Sequence, residues 1–388
     1  MYLNSIWNKN FVLLCIANLM LFMSMQLLLP TLPLYIIDIG GSKQDVGYIM
    51  GAYTLGATLM RFLAGWLVDN YGRKKNIIIG LALMLAITVL YSIFKTVSTV
   101  MIIRVMHGMT FGLVSTAIGT MVADVLPPAR MGEGIGYFGL ASTLSMALAP
   151  MVGLWVYAFS GHTVLFIWVS ILTGLTLFSG IAVRNPIDFE IKKEKQATGA
   201  GWNGVLEKTA FLPASVSFFI ALIYSSIIYF IALHAAELGI ANIGAFFAIT
   251  SLTMLIVRPI SGKVADGEKS DWIIITGFIT ILTSLIFIAL LPNYLALLIA
   301  GGIFGIGFSC LLPTLQAMAV RHAPAHRRGA ATGTYFMAFD LGLGLGAVLW
   351  GFMAEKGGYS LMYLEAIIPL IIGAGIYLTA KRIRTRKV

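Results

Sequence analysis

Twelve times along its 388 residues the sequence runs apolar before charge, glycine or proline interrupts it, over 11–37, 46–68, 76–94, 98–123, 133–157, 163–183, 211–235, 240–263, 271–291, 294–318, 330–353 and 359–380. A bilayer needs about 20 such residues per helix, and lipid leaves only helices and closed barrels as spanning structures. Hydrophobic residues make up 59% of the chain and charged residues 11%, whereas a soluble domain carries roughly 25% charged residues. The apolar excess therefore faces lipid. The chain is expected to be an all-α membrane protein with twelve transmembrane helices. The turn between the ninth and tenth runs rests on Pro292 and Asn293 alone. The first run is too long for the core of a removable signal peptide and lacks a small-residue cleavage site, so it is expected to remain as a span. Cys15 and Cys310 sit in apolar runs and suggest neither a disulfide nor a metal site.

An even number of spans puts both termini on one side. Of the 26 cations, 20 fall in the termini and the connections on their side. Lys43, Lys95 and Lys356 fall on the other side, while Arg61, Arg104 and Arg258 lie inside spans. Cytoplasmic connections carry the excess of Lys and Arg, so both termini are expected in the cytoplasm of a bacterial-type inner membrane. This placement explains the net charge of +10 without a nucleic-acid partner.

The chain repeats itself. An offset of 197 residues brings Gly47 onto Gly244, Leu55 onto Leu252, and Arg61, Gly65 and Asp69 onto Arg258, Gly262 and Asp266. It also brings Gly108 and Phe111 onto Gly305 and Phe308, and Pro127, Arg130, Gly132 and Gly136 onto Pro324, Arg327, Gly329 and Gly333. One offset across separate regions indicates a duplication. The expected organisation is a six-helix half over 1–184, a polar linker over 185–209 and a second six-helix half over 210–388. Paired halves of this kind place a binding site near the bilayer midplane.

The turn after the second run reads Gly65-Trp66-Leu67-Val68-Asp69-Asn70-Tyr71-Gly72-Arg73-Lys74-Lys75. It resembles the signature loop of the major facilitator superfamily, and Gly262-Lys263-Val264-Ala265-Asp266 resembles its degenerate second copy. The resemblance implies two pseudo-symmetric six-helix bundles. It implies a gating role for Gly65, Asp69, Gly72, Arg73 and Asp124, latching the cytoplasmic side against the start of the eleventh helix near Gly329–Gly333. By their chemistry, Gly65 would admit a neighbouring helix closely, and Asp69 would pair with a positive helix N-terminus.

Two further stretches resemble branch-specific elements. Arg104-Val105-Met106-His107-Gly108 is similar to the arginine element of proton-coupled members. Ser145 to Gly153, with Pro150 and Gly153 kept and Ala149 and Leu154 replacing two glycines, is similar to the antiporter element of twelve-helix drug:proton antiporters. A guanidinium inside a span marks a functional interior. Asp340, within Phe339-Asp340-Leu341-Gly342-Leu343-Gly344-Leu345-Gly346, is the sharpest single feature. A charge at the bilayer centre costs about 2.5–3.5 kcal/mol on insertion scales, and desolvation disfavours the ionised carboxylate. Asp340 is thus the expected proton carrier, with Arg104 beside it in role; the plain alternative is a structural pair with Arg258 or Arg104. His107 is a second candidate proton carrier but reads more simply as a satisfied structural histidine, and Asp38 and Asp45 read as solvated ends of the first turn.

The family's architecture would line a cavity with helices 1, 4, 7 and 10, making Gln26, Phe111, Tyr224, Tyr229, Phe304 and Gln316 candidate lining residues. The expected function is proton-coupled efflux of small amphipathic or cationic compounds by a monomer that needs no cofactor or metal. Export of one metabolite (a sugar, peptide or metal chelator) and flipping of a lipid or glycolipid stand as alternatives. No nucleotide-phosphate loop and no nucleophile–histidine–acid set is present in the sequence, so neither ATP-driven transport nor hydrolysis is expected. The charge asymmetry makes a direct forecast. A membrane-impermeant thiol reagent applied to intact cells should label Lys356→Cys and spare Lys195→Cys. The reverse pattern would invert the topology.

Overall fold

Helix ends, not apolar run ends, define the elements, because a helix can continue past the hydrocarbon edge into polar surroundings. A computed structural model of the chain describes residues 6–127, 130–184, 206–240, 242–265, 270–290, 293–321, 323 and 328–385. In the first half lie α1 (Lys9–Asp38), α2 (Lys43–Tyr71), α3 (Arg73–Ile93) and α4 (Val97–Val125). The long stretch Met131–Ala182 breaks at Gly161 (φ 74, ψ 179), giving α5 over 131–160 and α6 over 162–182. The second half contains a short 3-10 turn at Lys208–Ala210, then α7 (Phe211–Glu237), α8 (Gly244–Ala265), α9 (Ser270–Leu290) and α10 (Tyr294–Arg321). Arg328–Glu365 breaks at Gly358 (φ 75, ψ 173); α11 precedes that glycine, and a short piece after it leads into α12 (Ile367–Thr385).

Several ends have visible causes. The Asn8 carboxamide caps α1 by accepting from Phe11 N–H at 2.9 Å. Thr96 and Thr99 form a reciprocal capping box at the start of α4. Asn293 caps α10 by accepting from Ala296 N–H at 2.9 Å, so the weakly marked ninth-to-tenth turn is real.

Eight stretches among the described residues are long and apolar enough to cross a membrane. Two of them, Tyr137–Ala182 and Ala331–Arg382, are 46 and 52 residues long, roughly twice what a bilayer needs. Their breaks at Gly161 and Gly358 are where each becomes two helices. A positive φ of this size suits glycine and strains other residues. α2 and α8 fall short of the apolar criterion: α2 carries Lys43, Asp45, Arg61 and Asp69, and the apolar part of α8 runs over Gly244–Val257.

The described residues fall into two compact units, one drawn from Met1–Gly40 and Ala52–Gly199, the other from Gly41–Gly51 and Ala200–Val388. Lipid gives no hydrophobic drive for helix association, so close packing at small residues takes over. In the first unit α1 packs on α5, and a Cβ on Gly153 would lie 2.6 Å from the Leu27 carbonyl oxygen. The Ser145 hydroxyl donates to Leu19 O at 2.9 Å on the same seam. α2 meets α4 at Gly56, Gly108 and Gly112. In the second unit α7 packs on α11 through Gly342 and Gly346, and the Trp350 indole donates to Leu222 O at 2.6 Å. α8 meets α10 at Gly301 and Gly305.

The 197-residue offset reappears as geometry. A Cβ on Gly108 would collide with the Tyr53 carbonyl oxygen, and a Cβ on Gly305 would meet the Thr250 carbonyl oxygen at 2.5 Å. Tyr53 and Thr250 are themselves one offset apart, as are the two break glycines 161 and 358. Gly112 abuts Ala57 O, and its counterpart Ser309 places its hydroxyl 3.4 Å from Met254 O.

Gly108→Ala and Gly305→Ala should therefore each destabilise the protein by about 1–3 kcal/mol through overpacking against backbone. Gly139, in α5, has open space where a Cβ would go, so Gly139→Ala should stabilise by up to about 1 kcal/mol through helix propensity. Thermal melting of the purified protein in detergent would show the two opposite signs; equal effects would disprove the glycine-contact account.

Candidate functional site

Within the first unit, α4 carries the most unusual side chain in the fold. Arg104 is wholly buried. Its guanidinium carbon lies 4.3 Å from the centre of the Tyr53 ring on α2, a cation–π arrangement. Arg104 also hydrogen-bonds Tyr91 of α3. One turn further, His107 is equally buried. Its Nδ1 is 3.3 Å from the Tyr91 hydroxyl, and its ring stands edge-on to Tyr53 with centroids 5.5 Å apart. The Nε2 atom has no hydrogen-bond partner, so the satisfied histidine expected from sequence is only half satisfied. Phe111, next along the helix, packs its ring against Phe22 of α1 and Tyr53. Gln26 is buried on α1 and its Oε1 lacks a hydrogen-bond partner.

The second unit gathers rings instead. Tyr224 of α7 lies 4.5 Å from Phe308 and 6.2 Å, stacked, from Phe304, both on α10. Phe339 of α11 completes the cluster, 6.4 Å from Tyr224. Asp340, half-buried, is the next residue on α11. Of the expected lining residues, Tyr224 and Phe304 are thus brought together. Tyr229 is fully buried on α7, and Gln316 is half-buried on α10. Phe308, Phe339, Tyr53 and Tyr91 were missed. Phe308 had a signal, being the repeat partner of Phe111, whereas the others look like ordinary apolar-face aromatics.

The α2–α3 turn is built around Gly72, whose φ of 90 only glycine adopts readily. Asn76 clamps it, donating to Gly72 O at 2.7 Å and Leu67 O at 3.0 Å. Arg73 Nε donates to Asp124 Oδ2 at 2.9 Å, linking the turn to the end of α4. Among the described residues, a Cβ on Gly65 would meet open space. α2 touches α4 around Tyr53 and Ala57, about two turns earlier. The side chains of Asp69 and Arg258, together with Asp266 and 185–205 of the linker, lie outside the described residues.

The charged residues around the α1–α2 turn make specific contacts. Asp45 is not simply solvated: its Oδ2 accepts from both the backbone and hydroxyl of Ser42 at 2.8 Å, capping α2. Asp38 accepts the Tyr157 hydroxyl. Lys43, read from sequence as a topology marker, holds Glu237 at 2.5 Å and lies 4.3 Å over the Tyr359 ring. Its backbone N–H donates to Glu355 at 3.1 Å. All four belong to the second unit, where a Cβ on Gly47 would lie 2.6 Å from Ala347 O. No group of three or more His, Cys, Asp or Glu able to hold a metal occurs among the described residues.

The Arg73–Asp124 pair is mostly shielded, with side-chain exposures of 11% and 18%. A double-mutant cycle with Arg73→Gln and Asp124→Asn should give a coupling energy of about 1 kcal/mol or more. Additive effects would reduce the pair to a surface contact.

Comparison with known proteins places these features. The Staphylococcus aureus (strain Mu50) staphylopine export protein is 25% identical over 372 residues, covering 93% of this chain and 94% of that protein. The quinolone resistance protein NorA of Staphylococcus aureus (strain MRSA252) is 29% identical over 146 residues, 38% of each chain. The solved structure of a bacterial homologue of the human lysosomal transporter Spinster, inward-facing and occupied, shares the fold with a TM-score of 0.79 at 14% identity, over 96% of both chains. The family model of the Major Facilitator Superfamily matches residues 14–283 and, in a second match, 214–387. Matched along nearly its whole length and built on an all-helical repeat, the chain belongs to the Major Facilitator Superfamily of membrane transporters.

Proposed function

We propose that the protein is a proton-coupled efflux carrier for small amphipathic or cationic compounds. The observation that carries this reading is Asp340, one residue from the Tyr224–Phe304–Phe308–Phe339 cluster. Aromatic faces attract organic cations, and a carboxylate nearby supplies the charge. A cationic substrate and a proton would compete for that carboxylate, which is a direct physical route to antiport. In this reading the halves 1–184 and 210–388 alternate access around the 185–209 linker, with both termini cytoplasmic. Asp69, Arg73 and Asp124 latch one state, and Pro150 and Gly153 shape the α1–α5 seam. The name of the staphylopine export protein favours outward transport.

A second reading, export of one specific metabolite, draws on the near full-length likeness to the staphylopine export protein. The two part on breadth of substrate. Proteoliposomes with an imposed pH gradient and a panel of lipophilic cations, zwitterions and neutral compounds separate them. The efflux reading expects several cations to be concentrated against their gradients, and Asp340→Asn to reduce this by about tenfold or more while counterflow continues. Transport of a single compound would favour the second reading, and an undiminished Asp340→Asn variant would remove Asp340 as carrier. Asp69→Asn should slow turnover more than it weakens binding; unchanged turnover would end the latch assignment.

A further inference from the structure

The first unit holds a buried polar cluster that its own repeat shows to be unnecessary for the fold. One offset of 197 residues from Tyr53, Tyr91, Arg104 and His107 stand Thr250, Ile288, Gly301 and Phe304. The backbone contacts are retained: Gly108 against Tyr53 O and Gly305 against Thr250 O. The same scaffold therefore assembles with no arginine, histidine or tyrosine at these four places. Within lipid, polar groups that packing does not require mark function.

The cluster is also incomplete. His107 is wholly buried, yet its Nε2 has no hydrogen-bond partner. A buried polar atom left in that condition is costly and calls for an explanation. The groups facing His107 are few. Arg104 comes from its own helix, Tyr53 from α2 and Tyr91 from α3. Beyond Tyr91 stands Phe166 of α6, its ring stacked at 5.4 Å, and then Tyr35 of α1 and His162 of α6. No carboxylate is among these described neighbours; Arg104 is the charge beside His107, and Arg61 of α2 is a second cation, acting on Tyr53.

We propose that His107 exchanges a proton during the transport cycle, and that its protonation displaces Arg104 from the Tyr53 ring. Histidine is the side chain whose charge ordinarily changes between about pH 5 and 8. Taking up one proton makes both ring nitrogens donors. Nδ1–H then donates to the Tyr91 oxygen, and the Tyr91 hydroxyl hydrogen turns elsewhere. An imidazolium and a guanidinium one turn apart on a buried helix repel one another. The proton and the present position of Arg104 are thus mutually exclusive. Because Tyr53 carries Arg104 on its ring and abuts Gly108 through its carbonyl, loss of the cation reaches the α2–α4 seam directly. The inference rests on the proton-coupled reading but places a second exchanging group in the other unit from Asp340.

The test joins a direct titration to transport. The protein with nitrogen-15 histidine, reconstituted in lipid nanodiscs, is followed by NMR from pH 4.5 to 9. Parallel samples carry His107→Gln, which keeps hydrogen-bonding capacity, and His107→Phe, which copies the second unit. The expected result is one titrating imidazole that disappears in both variants. In proteoliposomes loaded with tetraphenylphosphonium, the pH profile of gradient-driven transport should flatten by about tenfold across pH 5.5 to 8 in His107→Gln, with counterflow retained. Arg104→Gln should leave the imidazole signal titrating but move its midpoint. A His107 signal constant over the whole pH range overturns the proposal, as does a pH profile identical to wild type. Asp340→Asn separates the two readings. If it abolishes nothing while the His107 signal still titrates and shapes the profile, the Asp340 reading fails and the His107 proposal stands.

Discussion

Helices in lipid have no water to exclude, so what holds one against another is how closely their backbones can approach. Here that approach is set by glycines pressed against carbonyl oxygens: Gly108 on Tyr53 and Gly112 on Ala57 in the first unit, Gly305 on Thr250 and Gly342 on Phe218 in the second. These contacts fix the register of each seam to a single residue. Everything with chemistry then follows from register. Tyr53 reaches Arg104 and His107 because its carbonyl is already anchored to Gly108. Tyr224 meets Phe304 and Phe308 where α7 packs on α10, itself locked to α8 by Gly301 and Gly305.

The two units share a scaffold and differ in what they mount on it. The first carries a cation, an imidazole and two phenols in a fully enclosed cluster. The second carries stacked rings and, next in sequence to Phe339, a half-buried carboxylate. A duplicated chain keeps in both copies what folding needs and lets the rest drift, so the positions where the copies disagree in polar character stand out as candidates for work. On that criterion the α4 cluster and the α7–α10–α11 aromatic group are complementary, one suited to charge and the other to an organic surface.

The all-helical fold, the repeat and the family were open to reading because each leaves a periodic or spaced trace in sequence. Run length reports bilayer thickness, and the Gly65–Lys75 pattern reports a turn. Helix ends were less visible: α2 begins at Lys43 and α3 at Arg73, since lipid bounds apolar runs while caps such as Asn8 and Thr96 bound helices. Arg104 and Asp340 were legible as single costly charges. The partners that give Arg104 its meaning, Tyr53 and Tyr91, were not, because an aromatic residue in a span looks the same whether it faces lipid or a guanidinium. His107 showed the same limit, since its unmet nitrogen is a property of its neighbours and not of its sequence.

Gly161 and Gly358 have a consequence for anyone who would modify the protein. At both places a long helix breaks at a single non-helical glycine and helix resumes at the next residue, and both have survived a divergence that replaced most side chains around them. There is no slack polypeptide there to absorb an epitope, a fused domain or a cleavage sequence without unwinding a helix. The molecule thus presents two blind spots, where antibodies find little to grip and evolution finds little room to elaborate.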